Sequence, residues 1–523
     1  MRIDSRLQQR PAGAGAELHY AGPMVDWTAI RAEFPAASRY TSLNTAGAPP
    51  VSRRAASEAQ RYYAEMLAHG DVRWPAWLEQ AEAVRARVAR LIHARPEHVA
   101  FTFSSSHAFT ILAPLLGPPA HIVAMRDEFP SGTLPWLAYG DEIAFVESGP
   151  EGAISLEAIE AAITPRTRAV VSSSVMYATG FRQDLRALGE LCRRRGVRLV
   201  VDATQSIGVV PVDVERDSVD ALVFSGYKWA MAGYGIGAMY VSPDLLRGGR
   251  SPVAGWWSAR DPEAVINDRL DLKETAAVFE VGSPHFAGIF ALGGSLELLE
   301  EIGAANVEAR VAALTDYLHD RLTASGFSIA SPRDRERRAG LTIVRMENAP
   351  AVVEQLARAG ILVSARGAGI RVAVHIFNTE ADVDRCVAAL VSLQRGEPIH
   401  PAPDAAGGRL VCVDLNGVLD RYRGWQGPEH WDPPAPGAQE FLRSLHERGC
   451  RVVVFTTRHY RDAQRWLAEH GLLPYVSEIT DSKPAADVFV DDRAVCHHGD
   501  FAATLEQVIG FSAHWERPER SSA

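Results

Sequence analysis

Four short runs constrain the fold more than any other feature of this sequence. HVAFTF (98–103), AVVSSSVM (169–176), RLVVDAT (198–204) and DALVFSG (220–226) stay apolar or small at consecutive rather than alternate positions. Strands of that kind are covered on both faces, the situation of a parallel sheet flanked by helices. Helical stretches such as DLRALGELCRRRG (184–196) separate them, with the arginines on the solvated side. A single core rarely exceeds ~300 residues, and the chain has 523, so more than one unit is expected. Residues 26–393 read as a mostly parallel α/β domain (about 45–290) with a smaller α+β lobe from 26–44 and 300–393. In that lobe the helix NVEARVAALTDYLHDRLTASG leads into short strands and then TEADVDRCVAALVSLQ. QRGEPIHPAPDAAGGR (394–409) is rich in Pro, Gly and Ala without apolar periodicity and reads as a linker. Residues 410–515 restart the alternation in a compact doubly wound pattern. Residues 1–25 read as a flexible leader and 516–523 as a tail.

Composition narrows the functional classes. The chain is 47% hydrophobic and 23% charged, with a formal net charge of −10 and no long basic run, which argues against nucleic acid or an anionic membrane as partner. No apolar run approaches the ~18 residues of a membrane span, and the first residues lack the apolar stretch of a signal peptide. Cys192, Cys386, Cys412, Cys450 and Cys496 form neither a CxxC pair nor a zinc spacing. A reduced, cytoplasmic protein with inert thiols is the expectation.

The chemistry gathers where strands end. Lys228 follows the run ALVFSG and Asp202 ends RLVVD, so both stand on one edge of one sheet, where open α/β sheets bind ligands. A lysine amine that captures a carbonyl needs a pocket that controls its charge. A carboxylate facing a pyridine nitrogen keeps the ring protonated, the pairing expected for pyridoxal phosphate (PLP). Ser104, Ser105 and Ser106 in FTFSSSHAFT follow a strand and open a helix, whose free N–H groups favour a phosphate.

In this order and spacing, the motifs FTFSSSHA, EFPSGTLPW, VMYATGFRQDL, VDATQSIG and SGYKW, followed by GWW, EVGSPH and IRVAVHIFNTEADVDR, resemble the class V branch of fold type I PLP enzymes over about residues 40–390. That branch includes cysteine desulfurases, kynureninases and isopenicillin N epimerase-like proteins. The resemblance implies that Lys228 forms the internal aldimine and moves the Cα proton, that Asp202 pairs with the pyridine nitrogen, and that Gln205 sits near the ring hydroxyl. It implies that Phe129 stacks on the cofactor and that Ser105, Ser106, Ser225 and Tyr227 contact its phosphate. Trp256 and Ser283 would reach the phosphate from a neighbouring subunit, which implies a homodimer with shared sites. Arg371 would hold the α-carboxylate of an amino-acid substrate and Asn44 would line its entrance. The implied activity is that of an aminotransferase or a C–S/β-lyase, with epimerisation as the alternative. Two departures bear on the choice: LVSARGAGIRV (362–372) lacks the reactive cysteine of desulfurases, and Tyr177 replaces their usual asparagine.

In the tail, VCVDLNGVLD, VVVFTTR and DSKPAADVFVDDRA place a carboxylate, a hydroxyl, a lysine and paired acids at successive strand ends, a set that could hold Mg²⁺ and a phosphoryl group. These three runs together resemble the haloacid dehalogenase (HAD) superfamily in all four of its motifs, a Rossmann-like domain, here with a minimal cap and an open site. The resemblance implies Asp414 as nucleophile, Thr456 and Lys483 on the phosphoryl oxygens, and Asp414, Asn416 and Asp491 about the metal. Asn416 stands where HAD phosphatases usually carry an acid–base aspartate, and an amide cannot shuttle a proton as a carboxyl can. A Mg²⁺-dependent phosphatase as the main activity, or a binding protein with both sites vestigial, are the rival readings.

Overall fold

The computed structural model describes residues 25–248, 251–367, 369–399, 409–427, 429–482, 484, 486–494 and 507–509. The expected leader up to residue 24, most of the linker, the C-terminal tail, Lys483 and Cys496 lie outside the described residues; Val25, the last residue of that leader, packs against the core.

Seven strands form the largest sheet: β1 Val99–Thr102, β2 His121–Met125, β3 Glu142–Val146, β4 Thr167–Ser173, β5 Arg198–Asp202, β6 Ala221–Ser225 and β7 Gly237–Val241. Their order is β1-β7-β6-β5-β4-β2-β3. Only β7 runs against its neighbours. The consecutive apolar residues serve two cores at once. In β4, Val170 joins one cluster while Ala169 and Val171 join the other; Leu199 and Val201 against Val200 divide β5 in the same way, and Leu222 and Phe224 against Ala221 and Val223 divide β6. β4, β5 and β6 then stop on Ser173, Asp202 and Ser225, so polar groups collect at one sheet edge. The helix between β4 and β5 spans Leu185–Arg195, capped by Asp184 and closed by Gly196 at φ 68°.

The smaller sheet contains β8 Leu341–Arg345, β9 Ser364–Arg366 and β10 Gly369–Ala373, antiparallel in the order β9-β10-β8. Thr41–Ser42 pairs with Ile361–Leu362, and Asn44 bridges to Ala373. The start of the described chain is therefore tied to this lobe. The buried helix Phe286–Ile302 crosses Arg53–His69 at Gly294, where a Cβ would lie 2.8 Å from the Arg54 carbonyl oxygen.

Residues beyond the linker form a four-stranded parallel sheet of β11 Leu410–Asp414, β12 Arg451–Phe455, β13 Glu478–Thr480 and β14 Val488–Val490, in the order β13-β12-β11-β14. It has its own apolar core, which includes Val413, Leu442, Val454 and Leu467. β13 was not expected: three residues at a sheet edge carry no apolar run.

No described helix is long and apolar enough to cross a membrane. Cys192, Cys386 and Cys412 are buried and Cys450 is half-buried, all as free thiols.

Candidate active site

The sequence contains three lysines, Lys228, Lys273 and Lys483. Lys228 is the one placed just after β6, at the polar edge, and it is 6% exposed. Its Nζ lies 5.2 Å from the Phe129 ring centroid and 5.5 Å from that of Tyr227. Burial pushes the amine down to about 8, against the opposing pull of the Asp202 carboxylate. Lys273, by contrast, donates to the Trp257 carbonyl oxygen at 2.5 Å.

Asp202 is buried at the end of β5, accepts from Thr204 N at 2.8 Å, and has its carboxyl raised by burial. One strand away, Ser225 Oγ accepts from Ser105 N at 2.9 Å, and Ser104 caps the helix Ser105–Leu115. Ser106 and Ser131 hydroxyls meet at 2.6 Å. Ser105, Ser106 and Ser225 thus meet around one helix N-terminus beside Lys228 and Asp202. Tyr227 stacks on Tyr234 with centroids 4.4 Å apart. Phe129 is 39% exposed and stands edge-on to Tyr177. Gln205 is spanned by protein partners: its Oε1 accepts from Trp229 Nε1 at 2.8 Å and its Nε2 donates to the Ala46 carbonyl oxygen at 3.1 Å.

Arg371 comes from the smaller lobe, in the middle of β10, and is 2% exposed. Nη1 donates to the Tyr177 carbonyl oxygen at 3.3 Å, Nε has no partner, and no described carboxylate lies within ion-pair distance. Burial, then Arg366, pushes this guanidinium down to about 10. A buried cation without a counter-ion is costly to keep, and an incoming carboxylate would relieve that cost. Asn44 is half-buried, with Oδ1 unpartnered. Trp256 is 50% exposed and Ser283 lies on the surface, in a cleft shared with His107 and Gly235. Neither touches Ser105 or Lys228 through a recorded hydrogen bond within the described chain.

Glu128 was not singled out from the sequence. It immediately precedes Phe129, is buried, and accepts from Ser173 N at 2.5 Å and Ser173 Oγ at 2.6 Å. Ser173 pairs with Asp202 across β4 and β5, so Glu128 ties the Phe129 loop to the strand end beside Asp202. Burial raises its carboxyl to about 7, and the nearby Asp202 adds to the rise. The only signal in the sequence was its place inside the motif EFPSGTLPW.

In the tail, Asp414 ends β11, 7% exposed. Its carboxylate and those of Asp491 and Asp492 offer oxygens within 4.8 Å of one another. Burial, then Asp491, raises Asp414 to about 7, opposed by Arg493 3.8 Å away. Gly417 has φ 99°, and a Cβ there would lie 2.3 Å from Asp492 Oδ2. The Asn416 side chain points elsewhere: Nδ2 donates to Asp420 Oδ2 at 2.6 Å and Oδ1 accepts from Arg458 Nε at 3.5 Å. Asp492 rather than the Asn416 side chain is therefore the third group of the carboxylate cluster. Thr456 is buried at the end of β12, its Oγ1 accepting from Arg458 N at 3.2 Å. Arg458, also missed from the sequence, lies 4.5 Å over Trp431 and donates to the His430 carbonyl oxygen at 2.7 Å.

The sheet order, with a buried lysine and aspartate at its polar edge, defines an α/β enzyme of the aminotransferase type. The sequence profile of the family described as Aminotransferase class-V matches residues 43–388, and the chain belongs to that family. An uncharacterized aminotransferase of Bacillus subtilis is 29% identical over 360 residues, covering 68% of this chain and 94% of that protein. A kynureninase of Geobacillus thermodenitrificans is 27% identical over 315 residues, covering 56% of this chain and 73% of that protein. Among solved structures, the apo cysteine desulfurase of Thermococcus onnurineus superposes with a TM-score of 0.66 at 24% identity, covering 72% of this chain and all of that one. At that identity the likeness establishes the fold. The family match ends before the linker.

Proposed function

We propose that residues 26–393 are a PLP-dependent enzyme acting at Cα or Cβ of an amino acid or amino-acid conjugate, of the aminotransferase or C–S/β-lyase type. The observation that carries the reading is Lys228: a buried amine with a depressed pKa at the strand edge, over Phe129 and opposed by the Asp202 charge. The donor set fits the cofactor. Asp202 offers a buried carboxylate for a ring nitrogen, and Ser105, Ser106 and Ser225 with the helix N-terminus offer donors for a phosphate. PLP, when bound, supplies an aldehyde for amines and a ring that withdraws electrons from Cα.

The chain's own residues would then act as follows. The Arg371 fork binds the substrate α-carboxylate and so fixes which Cα bond faces the reacting groups. Lys228 Nζ, its pKa lowered to about 8 in this pocket, takes the proton from Cα and returns it. Asp202 would hold a positive charge at the ring nitrogen of a bound cofactor. Glu128 holds the Phe129 loop in register with Asp202 through Ser173. A persulfide-carrying cysteine is missing from the run 362–372, which supports an acceptor other than a cysteine thiol. The exposed aromatics Phe103, Tyr234 and Trp256 are consistent with a homodimer in which Trp256 and Ser283 reach the partner's site.

Residues 410–515 are read as a HAD-like domain. Asp414, Asp491 and Asp492 form an oxygen cluster suited to Mg²⁺, with Thr456 and Lys483 on the phosphoryl group. Asn416 makes it a slow phosphatase or a binder of phosphorylated ligands. The test of the first reading is the visible spectrum of the protein with PLP, followed over a panel of amino acids and thioether conjugates. A band that shifts with amino acids and is absent in Lys228→Ala supports it; an unchanged band in that variant removes it.

A further inference from the structure

Two strand ends of the tail sheet, those of β12 and β13, face the first unit. A cavity of about 710 Å³ lies between them and the helix Arg53–His69 of the first unit, within the ~300–1,000 Å³ range of small-molecule sites. Thr456, Arg458 and Thr480 stand on one wall; Arg53, Ser57 and Arg61 stand on the other. The two walls are tied together. Arg53 Nη1 donates to the Ile479 carbonyl oxygen at 2.5 Å and its guanidinium lies 4.7 Å over the Tyr460 ring. Arg39 pairs with Glu478 at 2.5 Å, and Arg461 with Glu297 at 3.0 Å.

The charges of the lining favour an anion. Glu58 is held by Arg61 at 2.7 Å and Glu478 by Arg39, which leaves Asp481 as the acid without an ion pair among the described residues. Arg53 bonds only to carbonyl oxygens, of Ala32 and Ile479, so its half-buried charge has no carboxylate within ion-pair distance among the described residues. The cavity also adjoins the carboxylate cluster. Asp414 pairs in register with Phe455, the residue before Thr456, and Arg458 reaches from the cavity wall to Asn416.

We propose that this cavity is the substrate chamber of the tail, roofed by the first unit: a phosphorylated small molecule sits with its phosphate towards Thr456 and its remainder beneath Arg53 and Ser57. The inference rests on the reading of the tail as a phosphoryl-handling domain, and adds that residues some 400 positions upstream in the chain select its ligand. Arg53 supplies the charge that recognises the anion, and the Ala56–Ser57 face of the helix sets how large a leaving portion fits.

The test uses the full chain with Mg²⁺ and two probes, inorganic phosphate and p-nitrophenyl phosphate, with binding read by calorimetry. The variants are Arg53→Gln, Ala56→Trp, Ser57→Trp and Asp414→Asn. Arg53→Gln should weaken both probes about tenfold. Either tryptophan should weaken p-nitrophenyl phosphate about tenfold and inorganic phosphate much less. All three should leave the spectral response of the first unit to amino acids as in the wild type, and the two tryptophan variants, which keep Arg53 on the Ile479 carbonyl oxygen, should also keep the proteolysis pattern of the docked units. Loss of both probes in Asp414→Asn with wild-type binding in the other three overturns the roof and leaves the tail reading standing. A wild-type chain that binds neither probe overturns both.

Discussion

Replacing Arg371 by methionine should strengthen the ligand-free fold while weakening recognition of amino acids. The guanidinium is 2% exposed, with its titration pushed down to about 10 by burial and by Arg366. Each pH unit corresponds to ~1.4 kcal/mol, so keeping this charge costs roughly 3 kcal/mol at any pH below about 10. The variant gives up one long hydrogen bond to the Tyr177 carbonyl oxygen, at 3.3 Å, worth about 1 kcal/mol. A net gain of about 1–2 kcal/mol follows, in keeping with apolar replacement of buried charges. The opposite sign applies to binding. A two-point guanidinium–carboxylate contact supplies at least ~3 kcal/mol, about a hundredfold in affinity. Denaturant unfolding of the ligand-free protein measures the first effect. Spectral titration with an amino acid and with the amine left by its decarboxylation measures the second. The amino acid should lose about a hundredfold and the amine little. A destabilised variant that still prefers the amino acid by the wild-type margin would refute the argument.

The neutral fraction of Lys228 grows through about pH 8, so the rate at which the apoprotein captures an aldehyde should rise to a plateau there. Because Asp202 holds that midpoint up, Asp202→Asn should move it to lower pH; a fixed midpoint contradicts the pairing. Glu128 has a carboxyl raised to about 7, so the folded state binds its proton more tightly than the unfolded one. Stability from this group is full below the ordinary carboxylate range and is lost as pH rises through about 7. Glu128→Gln should flatten that loss in ligand-free unfolding, and an unaltered pH profile counts against it. Mg²⁺ should raise the thermal midpoint of the tail through Asp414, Asp491 and Asp492. Asp414→Asn should abolish the rise, and an equal rise in the variant removes the metal assignment.

How much of this was legible in advance depends on how local each cause is. β5 and β6 could be read because consecutive apolar residues need cover on both faces, and Asp202 and Lys228 because they follow directly from those runs. Ser104 could be read as a cap because its partner, His107 N, is three residues away. Glu128 could not: its meaning lies in Ser173, 45 residues distant, and in the burial that closes over both. β13 could not, since Glu478–Thr480 becomes a strand only by pairing with β12. The contact of the tail with the first unit could not be read either. Arg53 reaches Ile479 across 426 positions, and contacts of that range leave no trace in local pattern.

The account rests most heavily on one amine. With three lysines in the chain, Lys228, Lys273 and Lys483, the most direct measurement is incubation with PLP, reduction with borohydride, and peptide mapping by mass spectrometry. The account predicts the reduced pyridoxyl group on Lys228 at one per chain, with the other two lysines unlabelled. A label distributed over Lys273 and Lys483, or Lys228 recovered unmodified, would contradict it.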